Sequence, residues 1–206
     1  MSFTSYSALK TEIADYLGRS DLTSKIPTFV TLAELRLSRE LRTRKMLSSA
    51  TATMTSGDGK VALPSDFLEM RNIYTQGNPR MPVTYLSPSA FMRDARADQS
   101  GLPVFYTVLG AEFEFAPKPD TAYVVEILYF AKPTPMSDSV SSNVFLANYP
   151  DALLYAALLE AEPYLINDAR TSTWADLYNR AVLNIQSSDQ NSEYSGVPLT
   201  KRVTSR

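Results

Sequence analysis

"SSATATMTSGDGKVALP", residues 48 to 64, is where the sequence changes its period. Upstream, apolar residues recur every three or four positions; within it, small and β-branched residues alternate with polar ones around Gly57-Asp58-Gly59. Alternation split by a Gly-rich turn predicts a β-hairpin. The β pattern continues through "FLEMRNIYTQG" (67–77) and "MPVTYL" (81–86). "SPSAFMRDARA" (87–97) predicts a short helix or turn, with Ser87 as its cap and Pro88 in the first helical position. "PVFYTVLGAEFEFAPKP" (103–119) predicts a second hairpin turning at Leu109-Gly110. "AYVVEILYFAKP" (122–133) is apolar almost throughout, which predicts a central strand.

The flanks of this β region are helical. Tyr6, Leu9, Ile13, Tyr16 and Leu17 form one stripe, with Ser5 or Ser7 able to cap its start and Gly18 its end. A second helix places Ile26, Phe29, Val30, Ala33, Leu37 and Leu41 on one face, and Arg36, Arg39, Arg42, Arg44 and Lys45 on the other. After the loop "PTPMSDSVSSN" (133–143), helical spacing returns in "YPDALLYAALLEAEPYLIN" (149–167). Pro150 suits its first turn, and Pro163 should interrupt it near Ala161. A last helix carries Trp174, Leu177, Tyr178, Ala181, Val182 and Ile185. From "SSDQNSEYSGVPLTKRVTSR" (187–206) the period is gone.

The expected fold class is therefore α+β: a helical bundle from the N- and C-terminal helices, an inserted antiparallel β region, and a flexible C-terminal tail. The expected boundaries are 1–46 and 148–188 for the helical body, 47–147 for the β region and 189–206 for an extended arm.

Composition narrows the chemistry. Of 206 residues, none is Cys and none is His. That removes thiolate nucleophiles, Cys-type zinc sites and every Ser-His or Cys-His catalytic device, so no catalytic, cofactor or metal site is expected. No apolar run approaches the roughly 18 residues of a membrane span, and "MSFTSYSALK" lacks the layout of a secretory signal, so a cytoplasmic origin is expected. The net charge of −2 hides an asymmetry: residues 1–110 hold 13 Lys/Arg against 10 Asp/Glu, and residues 111–206 hold 7 against 12. Opposite poles on one chain suit head-to-tail association or a charged partner.

Three short patterns invite a catalytic reading and do not sustain it. Ser7 to Lys10 spells S-x-x-K without its companion motifs, and a capped first helix accounts for it. "SGDGK" (56–60) lacks the remainder of a phosphate loop and is followed by Val61. Glu112 and Glu114 share one strand face with no third ligand, as solvated strand residues do. The run Arg36 to Lys45 could grip phosphates, which makes a small nucleic-acid-binding protein the alternative reading; Glu34 and Glu40 interrupt it at spacings that allow same-helix pairing. The tail mixes Tyr194, Val197, Pro198 and Leu199 with Lys201 and Arg202, a composition suited to folding on a partner's surface.

"LPSDFLEMRNIY" (63–74), followed by "DALLYAALLEAEPYLINDARTSTWADLYNRAVLNI" (151–185) and preceded by "LAELRLSRELRTR" (32–44), resembles the head-to-tail adaptor, or connector, proteins of tailed bacteriophages. The likeness is nearest to adaptors of short-tailed phages, such as the tail tubular protein of T7-like phages. It implies a structural virion protein at the head–tail interface, made in the host cytoplasm, that is not an enzyme and needs no cofactor. It implies a homo-oligomeric ring, usually dodecameric, between the portal and the tail nozzle or next tail component, with DNA passing through the lumen without sequence-specific contact and no membrane partner. By position in the chain, Tyr194, Val197, Pro198, Leu199, Lys201 and Arg202 would form a portal-binding arm. A ring interface is heterologous, so Arg36, Arg39, Arg42, Arg44 and Lys45 are expected to meet a neighbour's acidic 111–162 stretch.

Overall fold

The computed structural model describes residues 4–77, 79–94, 99–165 and 168–193. The chain forms two compact units: Met1–Lys45 with Pro133–Arg206, and Met46–Lys132. Residues 133–147 thus group with the helices rather than with the strands.

In the first unit, α1 (Tyr6–Leu17) begins at Ser5, whose hydroxyl accepts from the Ala8 N–H, and ends at Gly18 in the left-handed conformation. A 3-10 turn, Ser20–Lys25, leads into α2 (Ile26–Glu40). After the β region come α4 (Val144–Asn148), α5 (Pro150–Glu160), α6 (Glu162–Leu165) and α7 (Arg170–Glu193). The break between α5 and α6 falls at Ala161, where Pro163 was expected to interrupt the helix. α5 packs against α1, α2 and α7. Its sequence explains that position, because Ala152, Leu153, Leu154, Ala156, Ala157 and Leu158 are all buried and the helix is apolar nearly all round. The surrounding helices each offer one stripe: Leu9 and Ile13 from α1, Phe29, Ala33 and Leu37 from α2, Trp174 and Tyr178 from α7.

The second unit holds two four-stranded sheets, ordered β1-β8-β3-β4 and β2-β7-β6-β5. The strands are β1 (Leu47–Thr53), β2 (Lys60–Ala62), β3 (Phe67–Thr75), β4 (Met81–Pro82), β5 (Thr84–Tyr85), β6 (Phe105–Leu109), β7 (Glu112–Ala116) and β8 (Val124–Ala131), with helix α3 (Pro88–Asp94) between β5 and β6. Their core unites Ile73, Val125, Ile127 and Tyr129 of the first sheet with Tyr106, Phe113 and Phe115 of the second. β8 lies between β1 and β3, the central position its continuous apolar run predicted.

The hairpin expected from residues 48–64 does not form. β1 pairs with β8, and β2 pairs with β7 in the other sheet. Thr55 to Asp58 do make a tight turn, with Gly57 at φ 79°, but the chain leaving it crosses between sheets. Gly59 is the crossing point: a Cβ there would lie 2.6 Å from the Phe115 carbonyl oxygen, whose residue donates its own N–H to the Gly59 carbonyl. Alternation marks strands without naming their partners. "MPVTYL" is likewise shared, since Val83 donates to Ile73 of the first sheet and Thr84 to Val104 beside the second. The β5–β6 pair is parallel, so the region is not wholly antiparallel. The β6–β7 hairpin forms as expected, one residue along: Leu109 pairs with Glu112, and Gly110, at φ 62°, opens the turn.

Candidate interaction surface

The cations expected on one helix face occupy three settings. Arg36 and Arg39, with Leu32, Leu35, Glu40 and Glu160, line a hollow of about 340 Å3 on the outer side of α2. Arg44 and Lys45 line a separate groove of about 400 Å3 with Tyr149, Asp151, Asn184 and Asp189. Arg42 sits between them and closes the helix end, its Nη1 donating to the carbonyls of Ser38 and Leu41, both at 2.7 Å. α2 ends at Glu40, so Arg44 and Lys45 lie in the 3-10 turn Arg44–Met46 and not on the helix face assigned to them.

The settings of Arg36 and Arg44 are built by long-range contacts within the first unit, whereas Arg42 is held by carbonyls next to it in the chain. Arg36 pairs with Glu160 of α5 at 2.5 Å and lies 5.7 Å from the Tyr178 ring centroid. Tyr178 of α7 donates its hydroxyl proton to Glu40 at 2.6 Å. Burial, reinforced by the Glu40 carboxylate, holds the Tyr178 phenol protonated well above its ordinary range. Arg44 donates its backbone N–H to Asp189 at 3.0 Å and its Nη1 to the Ser192 carbonyl at 2.9 Å, which fixes the end of α7 beside the groove. Arg36, Arg42 and Arg44 are therefore engaged inside the chain. Arg39 and Lys45 make no ion pair among the described residues.

The expected same-helix pairings of Glu34 and Glu40 are replaced by contacts with distant segments. Glu34 is 6% exposed, and its Oε1 accepts from Asn143 Nδ2 at 2.5 Å and from the Met136 N–H at 3.1 Å. Asn143 in turn caps α4 through the N–H groups of Phe145 and Leu146 and donates to the Thr134 carbonyl. One carboxylate thus organises the segment that returns from β8 to the helices. Burial raises the Glu34 carboxyl above its ordinary range, and the two donors only partly oppose that rise. The residue stands four positions after Val30 and three before Leu37, so the core stripe itself flagged it.

Ser5, not Ser7, caps α1, and Lys10 pairs with Asp138 at 2.7 Å. Glu112 is exposed and lies 3.9 Å from Lys60. No group of three or more acidic residues among the described residues is placed to hold a metal ion. No described helix is long and apolar enough to cross a membrane. The proposed arm residues Tyr194, Val197, Pro198, Leu199, Lys201 and Arg202 lie outside the described residues. Residues 189–193, expected to begin that arm, instead form the last turn of α7.

The SU10 adaptor protein family matches residues 4–202. A match over nearly the whole length means that the chain belongs to the SU10 adaptor protein family, a family of structural phage adaptors rather than of enzymes. No curated protein matches the chain.

Proposed function

We propose that this member of the SU10 adaptor protein family joins the portal of a phage head to the tail, in the manner of the adaptors of short-tailed phages such as the T7-like tail tubular protein. The observation that carries this reading is the family match across residues 4–202, which spans both compact units together. In the virion the chain forms a ring, dodecameric in this reading, whose lumen passes DNA during ejection. The helical unit is the ring body, the strands meet the next tail component, and residues 194–206 reach the portal.

A cyclic assembly needs two different patches that complement each other. Arg39 and Lys45 are the cations of the set left available to a neighbour, beside hollows of mixed charge lined by Leu32 and Leu35 in one case and Tyr149 in the other. Glu112 and Asp120, both exposed in the second unit, supply acids of the 111–162 stretch for the opposite patch. Internal use of Arg36, Arg42 and Arg44 counts against the nucleic-acid-binding alternative, because affinity for a duplex grows with the number of phosphates neutralised. The test is to mix the chain with its cognate portal and count subunits by native mass spectrometry. A discrete ring bound to the portal is expected; a chain that leaves the portal bare, or that shifts duplex DNA in a salt-dependent way without assembling, overturns the proposal.

A further inference from the structure

The edges of the two sheets in the second unit are unlike one another. β4 is two residues long and contains Pro82, β5 is two residues long, and β2 is three residues long and carries Lys60. Short length, proline and lysine are devices that keep sheet edges from recruiting another strand. β1 has none of them. It runs seven residues, Leu47–Thr53, in unbroken register with β8, and no charge or proline occurs from Leu47 to Gly57.

The direction of its free backbone groups follows from one hydrogen bond. The Met54 N–H donates to the Tyr123 carbonyl at 2.8 Å, continuing the β1–β8 register. Alternation then turns Ser48, Ala50 and Ala52 toward β8, and turns the N–H and C=O groups of Leu47, Ser49, Thr51 and Thr53 outward. Among the described residues no backbone or side-chain group answers them. Ser49, Thr51 and Thr53 are also exposed, while Ala50 and Ala52 pack on the core. Only another extended backbone presents donors and acceptors at the spacing such an edge requires.

We infer that β1 is a pairing edge and that its occupant is β1 of a second copy, joined antiparallel about a two-fold axis at Thr51. The register is self-consistent: Thr51 faces Thr51 and Ser49 faces Thr53, so outward backbone groups meet outward groups on both chains. No charge within the strand is set against its like. Lys45 precedes β1 by two residues and Asp58 follows it by five, so the flanks of the antiparallel strands carry complementary charges. The exposed hydroxyls of Ser49, Thr51 and Thr53 face one another across the seam, a favourable cross-strand arrangement. Any other edge of a second copy would match only two or three residues of β1. This contact is isologous and joins free chains in pairs, so it is separate from the heterologous contact of a ring. Its failure and the failure of the adaptor reading are told apart, because one is measured without portal and the other with it.

The experiment is sedimentation velocity of the full chain over a range of concentrations, with amide hydrogen exchange at Ser49, Thr51 and Thr53. Thr51→Pro removes an outward N–H and leaves every β1–β8 bond in place, since proline tolerates an extended edge position. A monomer–dimer equilibrium is expected, with slower exchange at those three amides as concentration rises. Thr51→Pro should weaken the dimer roughly tenfold or more at an unchanged unfolding midpoint. Thr51→Lys, which keeps the backbone and sets like charges opposite each other, should do the same if the proline variant does not fold. A chain monomeric at all concentrations, a dimer indifferent to both substitutions, or protection of these amides only when portal or tail protein is added would each overturn the inference.

Discussion

Truncating Glu34 to alanine should unfold the helical unit at markedly lower stress, and the structure gives the scale. The substitution strips the acceptor from the Met136 N–H and from one Asn143 amide proton, in a site only 6% exposed at Glu34 and at Met136. Hydrogen bonds to a charged group contribute about 1.5–3 kcal/mol each, offset in part by the cost of keeping a carboxylate out of water, so a net loss of about 2–4 kcal/mol is expected. For a chain of this size that corresponds to a fall in Tm of about 5–15 °C. Glu34→Gln separates the hydrogen bonds from the charge. Both donors make their shorter bond to Oε1, which the amide retains, and only the 3.4 Å contact of the Met136 N–H with Oε2 is lost, so this variant should stay within about 1 kcal/mol of the native chain near neutral pH. Titration supplies a further sign. Burial raises the Glu34 carboxyl, so the native state holds its proton to higher pH than the unfolded chain does. Its contribution is fully present below the unfolded value of about 4.3 and is lost as pH rises through the folded value. Relative to Glu34→Gln, the native chain should therefore gain stability as pH is lowered through that window. Urea denaturation followed by the fluorescence of Trp174, the one tryptophan and a buried residue of the helical unit, reads the native chain and both variants. An alanine variant less than about 1 kcal/mol destabilised, a glutamine variant as weak as the alanine one, or a pH-independent difference between native and glutamine chains would refute the reasoning.

Other expectations follow from the same geometry. Tyr178→Phe should cost about 1–2 kcal/mol in the same denaturation assay, because it leaves Glu40 without its hydroxyl donor; an unchanged midpoint would mean that solvent replaces that donor. Gly59→Ala should destabilise the second unit, since its Cβ meets backbone at 2.6 Å, whereas Gly101→Ala, with open space around it, should leave thermal unfolding by circular dichroism unchanged; equal effects would contradict the close approach. Deleting residues 194–206 should weaken portal binding measured by biolayer interferometry while the fold is retained, and an unaltered affinity would remove the arm from the proposal. Combined Arg39→Glu and Lys45→Glu should block ring formation on the portal as seen in electron micrographs; intact rings with altered DNA retention would reassign those cations to DNA.

Much of the secondary structure was legible locally, because its causes are local. A serine hydroxyl at a helix start, a glycine able to adopt positive φ at its end and a proline that cannot donate act over a few residues, and α1, the β6–β7 turn and the α5–α6 break lie within a residue of expectation. Central placement of β8 was legible too, because its nearly continuous apolar run suits a strand with neighbours on both edges, although full burial falls mainly on alternate residues. The candidate surface was legible only as composition. Arg36, Arg39, Arg42, Arg44 and Lys45 could be named as cations, yet the occupation of Arg36 and Arg44 depended on Glu160 and Asp189, residues that periodicity on α2 does not mention.

The sequence by itself settled that this is an α+β chain with strands between two sets of helices, and that it lacks the histidine and cysteine on which much catalysis relies. Only the tertiary structure decided that residues 47–53 and 60–62 part company into different sheets, that Glu34 is buried to hold the returning segment, and that β1 is the edge strand of its sheet. The reason is range. Period and capping report forces between neighbours in the chain, whereas strand partners, ion pairs and sheet edges are fixed by groups far apart in the sequence that meet only after the core has formed.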